Sequence, residues 1–252
     1  MHGNRLKVFE QLKANIGTPF VLITKLSISE FELKEHPYHP AVRYTLEHRE
    51  GLSGNHMSDY FRNYFSYHYG GAYHDIKLRS KAQSIDNCWK LFKDPNVWVV
   101  GMAETPDGSA EWDLEVTDYI WEHEKFEPNS PLLKDSKWHD KKFHDNKLLS
   151  NGGWVARPNT DLFKNVNSFA EKRLDDLFEK IKFRPIWNFK RCCLNVGAGE
   201  KYGYPLRWTA LQGNIFHPYQ EVYRSHINRS MTWFTRTRYT DISENTGAFT
   251  ES

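Results

Sequence analysis

The sequence has little cysteine, no long apolar run and almost no net charge, and each shortage excludes a class of protein. Three cysteines occur in 252 residues, Cys88, Cys192 and Cys193. The adjacent pair Cys192 and Cys193 cannot readily bridge each other, and no CxxC spacing marks a zinc site. A fold that needs no disulfides, in a reducing compartment, is expected. No apolar stretch approaches the roughly 20 residues that span a bilayer, and the opening MHGNRLKVFEQLK is no signal peptide. The expected place is therefore the cytoplasm (a host's cytoplasm for a viral chain), with a lumenal setting requiring that an anchor had been removed. A net charge of +2 supplies no field for nucleic acid or an anionic membrane, so neither is expected as a partner. Repeats, low-complexity tracts and linkers are also missing, which favours a single domain over residues 1–252.

Aromatic residues, by contrast, are plentiful. They make up 15% of the chain, with nine Trp and thirteen Tyr. Such rings stack on sugars and bases, and equally they fill cores. Of the tryptophans, Trp98, Trp112, Trp121, Trp138, Trp154, Trp187 and Trp208 read mostly as packing, with one or two available to stack on a sugar face. Hydrophobic residues at 39% and charged ones at 26% are ordinary for a globular protein.

Leu6, Phe9, Leu12 and Ile16 recur at helical spacing before Gly17. Residues 19–24, PFVLIT, read as a buried strand. A helix follows His39-Pro40, and the next begins near Ser53 or Asn55 with Met57, Phe61, Tyr64, Phe65 and His68 on one face. Gly70-Gly71 stops it, because glycine takes the left-handed conformation that ends helices. Strands are expected at 72–76, 97–101 and 152–157, and a helix carries Ile85, Cys88, Trp89 and Phe92. The capping box Ser168-Phe169-Ala170-Glu171 opens a helix bearing Leu174, Leu177, Phe178 and Ile181. Residues 102–147 read as long loops with room for one helix, and beyond Phe183 the signals are turns and short segments. Helices alternating with short apolar strands predict an α/β sandwich with a mostly parallel central sheet, helices on both faces and ligands at the strands' C-terminal ends. A nucleotide-binding domain of that kind normally starts with a strand, yet this chain begins almost directly with a helix. Either the first strand is missing at the N-terminus or the sheet is built differently.

The stretch SDYFRNYFSYHYGGAYHDIK carries the chemistry. On a helix Asp59 and Arg62 share a face, three residues apart. Taken alone they are an intrahelical ion pair worth a few tenths of a kcal/mol. Along the following strand Tyr73, Asp75 and Lys77 point one way. The glycines hold the helix end against the strand start, so Asp59, Arg62 and Asp75 are predicted to converge on one pocket. Carboxylates there accept from sugar hydroxyls, and an arginine donates to hydroxyls or phosphate oxygens.

Ser58, Asp59, Arg62, Gly70, Gly71, Tyr73 and Asp75 resemble the signature S-D-x-x-R-x-x-x-L-x-x-x-G-G-x-Y-x-D-x-D. That signature belongs to GT-A-fold glycosyltransferases, among them Och-type mannosyltransferases, α-1,4-galactosyltransferases, capsular polysaccharide synthesis proteins and the glucosylating domains of large clostridial toxins. Later segments resemble the same family more weakly: LLSNGGWVARPNTDLF around Asn151, IFHPYQEV with Phe216, His217, Pro218 and Tyr219, and SHINRSMTWF from His226 to Trp233. The resemblance implies a GT-A-type Rossmann-like sandwich that moves a sugar from a nucleotide-sugar donor, UDP-linked more than GDP-linked, to a hydroxyl of a glycan acceptor. Asp59, Arg62 and Asp75 are implied as the catalytic set, with Tyr73, Lys77 and Asn151 joining them around the donor. It also implies Mn²⁺ or Mg²⁺ on the diphosphate, held by Asp75 and His226. Here Lys77 replaces the second carboxylate of the motif, an ammonium in place of a hard oxygen ligand. Either the metal is held more weakly, or Lys77 neutralises the diphosphate and the metal is dispensable, or the chain only binds. Retention of configuration is the outcome the family favours; inversion would need a carboxylate base, and Glu104, Asp107, Glu111, Asp113 and Glu115 are the loop acids available for it.

Other features weigh less. His139-Asp140 and His144-Asp145 have the residues of a metal site but read better as a solvated loop. The glycines of 195–203 lack the full spacing of a phosphate loop. Arg224, Arg229, Arg236 and Arg238 interleave with Trp233, Phe234 and Tyr239, as in a nucleic-acid groove, a phosphate-facing lid or an ordinary basic surface. The rival to an enzyme is a non-catalytic protein that binds a nucleotide sugar or glycan.

Overall fold

Ser53 starts the helix that positions the site. Its hydroxyl accepts from the His56 N–H, and the helix runs over Gly54–His68. In the computed structural model, which describes residues 4–15, 18–24, 26–76, 86–103, 113–123, 148–183, 203–207 and 209–231, this is α3. Before it stand α1 (Asn4–Asn15) and α2 (Pro40–His48), with Pro40 at the first position of α2, where its missing N–H is harmless. After it come β1 (Gly71–His74), the short α4 (Asp86–Trp89), β2 (Val99–Ala103), α5 (Leu114–His123), β3 (Leu149–Ala156), α6 (Asp161–Phe183), α7 (Gly213–Val222) and β4 (Ile227–Asn228).

The strands form one sheet in the order β1-β3-β2-β4. β3 runs antiparallel to both β1 and β2, and β2 pairs parallel with β4. The expected mostly parallel sheet is thus corrected: among the described residues the sheet is mostly antiparallel. A strand buried on both faces reads as a continuous apolar run whichever way its neighbours point, so VWVV and WVA carry no record of direction. Helices do cover both faces. Val99, Trp154 and Ala156 join the large core with α2, α3, α5, α6 and α7, whereas Val100 and Val155 join a small core with Leu12 of α1 and Cys88 of α4.

Four further expectations change. Residues 19–24 are not a strand. Val21 is 70% exposed and Leu22 39% exposed; β-propensity here meets no partner strand among the described residues, and only Phe20, edge-on to Phe9, and Ile23 pack inward. α6 opens at Asp161, before the predicted capping box, because Leu162, Phe163, Val166, Phe169 and Ala170 form one buried stripe that carries the helix through Ser168. Beyond Phe183, where turns were expected, α7 is a helix buried along its whole length with Pro218 inside it. Pro218 reads as a breaker, and the polar Asn214, His217, Gln220 and Glu221 are all buried. The predicted helix through Ile85 is reduced to Asp86–Trp89, Ile85 lying outside the described residues. No helix among the described residues is long and apolar enough to cross a membrane.

Candidate functional site

The end of α3 is fixed to β1 by a corner that only glycine fits. Gly70 has φ +65°, and a side chain there would meet the Pro158 ring at 2.6 Å. β1 then leaves alongside β3, with the Asp75 N–H donating to the Gly152 carbonyl at 2.9 Å. Trp154, fully buried in β3, locks α3 from below: its Nε1 donates to Ser66 Oγ at 2.8 Å, and Ser66 donates to the Arg62 carbonyl at 2.6 Å.

Arg62 is the centre of the site. Its Nη2 lies 3.1 Å from Asp59 Oδ1 and 3.7 Å from Asp75 Oδ1. Nη1 donates to the Asn151 carbonyl at 2.8 Å, Nη2 donates to Ser58 Oγ at 3.3 Å, and Cζ sits 4.5 Å above the centre of the Tyr73 ring. Tyr73 Oη donates to Asp75 Oδ1 at 2.6 Å. The structure therefore brings together Ser58, Asp59, Arg62, Tyr73, Asp75 and Asn151. Asn151 contributes its backbone oxygen to Arg62, while its side-chain Nδ2 turns to α7, 3.1 Å from where a Gly213 Cβ would stand.

Burial sets the electrostatics. It pushes the Asp59 carboxyl up to about 7, with the nearby Asp75 adding to the rise and Arg62 opposing it. A carboxyl there holds or accepts a proton near neutral pH. Burial also raises the Tyr73 phenol well above its usual range, so Tyr73 stays a donor to Asp75. Asp75 is the most open of the three charged groups: its side chain is 18% exposed, against 8% for Arg62 and 6% for Asp59.

His226 is not brought to this cluster. The Trp98 N–H donates to the His226 carbonyl and the Arg157 N–H to the Trp98 carbonyl, at 2.9 and 2.8 Å. His226 is therefore level with Arg157, five residues or roughly 16 Å along the β3 chain from the Gly152 level of Asp75. It also sits beside β4, at the opposite edge of the sheet from β1. The expected Asp75–His226 metal pair is corrected accordingly. His226 instead stacks on Trp98, ring centres 3.8 Å apart, and donates from Nδ1 to the Asn96 carbonyl at 2.8 Å. Mn²⁺ or Mg²⁺ asks for several oxygen ligands. Among the described residues no group of three or more His, Cys, Asp or Glu side chains is arranged to hold one, and Asp75 Oδ1 is engaged by Tyr73. Among the described residues these side chains do not form a metal cage.

Lys77, Glu104, Asp107 and Glu111 lie outside the described residues, as do His139, Asp140, His144, Asp145, Arg236, Arg238 and most of the 195–203 loop. Of the remaining loop acids, Asp113 and Glu115 hold the buried Arg173, at 2.9 and 3.3 Å, and Arg173 Nη1 donates to the Ala210 carbonyl at 2.7 Å. Through Arg173 they fix a turn. That turn, Thr209 to Gly213, is what the sequence reading missed. It delivers the Leu211 carbonyl to Asn63 Nδ2 at 3.0 Å and Gly213 to Asn151. The signal was available in TALQGN, a glycine-bearing turn just before an apolar run. No family model, no curated protein and no solved structure matches the chain.

Proposed function

We propose that the chain is a GT-A-type glycosyltransferase that moves a sugar from a nucleotide-sugar donor, UDP-linked in the first instance, to a hydroxyl of a glycan acceptor in the cytoplasm. The observation that supports it is the convergence on Arg62: two carboxylates, a tyrosine face and a strand carbonyl reach one guanidinium from three separate segments. A surface ion pair would need none of that. The reading rests on this cluster rather than on the direction of the strands.

In this reading Asp75, the most open member, accepts from hydroxyls of the donor sugar, and Tyr73 fixes its orientation. Arg62 is held by Asp59, Ser58 and Asn151 so that its remaining surface faces the sugar and the leaving diphosphate. Asp59, with its carboxyl near 7, takes or returns a proton on a hydroxyl at the buried end of the site. The bond from the anomeric carbon to the diphosphate breaks, the bond to the acceptor oxygen forms, and the acceptor proton leaves with the nucleoside diphosphate or a carboxylate. Purified protein incubated with UDP-glucose, UDP-galactose and GDP-mannose is expected to release nucleoside diphosphate slowly by donor hydrolysis, and Asp75→Asn to abolish the release. Tight binding of a donor with no release from any, acceptors included, would replace the enzyme by a binding protein.

A further inference from the structure

Another arginine, half-buried, stands at the other edge of the sheet, where β4 ends. Arg229 Nη1 donates to the Ile227 carbonyl at 3.2 Å, while Nε and Nη2 are buried and have no hydrogen-bond partner among the described residues. Those two atoms are not a random pair. Their N–H bonds run parallel along one edge of the guanidinium, the edge that grips a carboxylate or phosphate through two bonds at once. Arginine does not escape burial by losing its proton, so an unengaged edge in a low-dielectric place is unfavourable until an acceptor arrives.

The surroundings define the acceptor. Glu221 is fully buried, and its Oε2 accepts from Arg224 Nη1 at 3.2 Å. Arg224, its side chain 34% exposed, is on the solvent side of this group. Two guanidiniums and one carboxylate leave a net positive charge. Burial lowers Arg229 to about 10, with Glu221 opposing the fall and Arg224 adding to it. A planar carboxylate would fill the fork alone, but a doubly charged tetrahedral ion also uses the second cation.

We infer that the Nε–Nη2 edge of Arg229 binds a phosphate group, with Arg224 as the second cation on its outer side. The inference does not depend on glycosyl transfer, since it uses no residue of the Arg62 cluster. The phosphate has two sources, a free ion or the diphosphate of a nucleotide.

The test measures Tm and calorimetric binding of the full chain with inorganic phosphate, pyrophosphate and UDP, against chloride at equal ionic strength. Wild type is expected to gain about 5 °C with phosphate or pyrophosphate a hundredfold above Kd. Arg229→Lys keeps the charge but not the fork, and is expected to bind at least tenfold more weakly. Arg229→Met is expected to lose the response while melting no lower than wild type without the ion. A UDP response lost in both variants assigns the phosphate to a nucleotide; a response to inorganic phosphate alone assigns a free ion. No response of wild type beyond the chloride control, or an equal response in Arg229→Lys, overturns the inference, and these two measurements decide it even where Arg229→Met does not fold.

Discussion

Arg62, buried, and Arg229, half-buried, stand at opposite edges of one sheet, and the protein surrounds them in opposite ways. Arg62 faces Asp59, Asp75, the Asn151 carbonyl, Ser58 and the Tyr73 ring. Its charge is more than balanced before any ligand arrives, and its orientation is set from several directions. Arg229 keeps a two-pronged edge without a partner among the described residues and shares the field of one buried carboxylate with Arg224. The contrast separates two uses of a buried cation. A neutralised arginine is a positioning scaffold, suited to hydroxyls and to charge that develops during reaction. An unneutralised one is suited to an anion that arrives fully charged.

The sharpest way to break this comparison is to remove each guanidinium in turn. Arg62→Met leaves Asp59 and Asp75 without their cation and is expected to lose about 3–5 kcal/mol of stability by urea denaturation at pH 7. Arg229→Met removes an unbalanced charge and, without phosphate, is expected to stay within about 1 kcal/mol of wild type. Equal losses would mean that Arg229 is a structural arginine like Arg62.

Asp59 sharpens the Arg62 side through pH. Its carboxyl titrates near 3.8 when unfolded and near 7 when folded. The folded chain thus binds a proton that the unfolded chain lacks between those values, so the favourable contribution is complete below about pH 4 and is lost as pH rises through 7. Relative to Asp59→Asn, wild type is expected to lose up to roughly 4 kcal/mol across that window. The readout is the slope of the difference, not its offset, because the variant also changes the contact with Arg62. A difference that does not change from pH 4 to 8 would show Asp59 ionised throughout.

Tyr73 carries a smaller share. Tyr73→Phe keeps the ring under Arg62 and deletes the bond to Asp75, an expected loss of about 1 kcal/mol. In the proposed enzyme the same change raises KM for the donor severalfold, since Asp75 is no longer held. Unchanged stability together with unchanged KM would remove Tyr73 from the site.

The local part of this site was legible in the sequence because it is short range. Asp59 and Arg62 are joined by helix periodicity, and Gly70-Gly71 carries the chain into β1 within a few residues, so spacing alone puts Asp75 near them. The β3 side was legible only as a position: Asn151 was expected at the donor, but that its backbone oxygen, not its amide, meets Arg62 depends on β1–β3 register. Register between strands far apart in sequence is not written in apolar runs, which is also why the sheet direction was misread. α7 was hidden for a different reason. Pro218 inside it reads as a breaker, and its polar Asn214, His217, Gln220 and Glu221 are buried where a solvated turn was expected. His226 was placed by resemblance alone, and the register moved it away.

That relocation gives the smallest expected effect and a direct check on the sheet. His226→Ala removes one bond to the Asn96 carbonyl and a ring stacked on Trp98, both near the surface. The expected loss of stability is about 1 kcal/mol or less. Donor hydrolysis and any response of the protein to added Mn²⁺ are expected to match wild type, because five residues of strand and the width of the sheet separate His226 from Asp75. If His226→Ala instead erased a Mn²⁺ response that Asp75→Asn also erases, the two side chains would share an ion, and the antiparallel pairing of β3 that keeps them apart would have to be wrong.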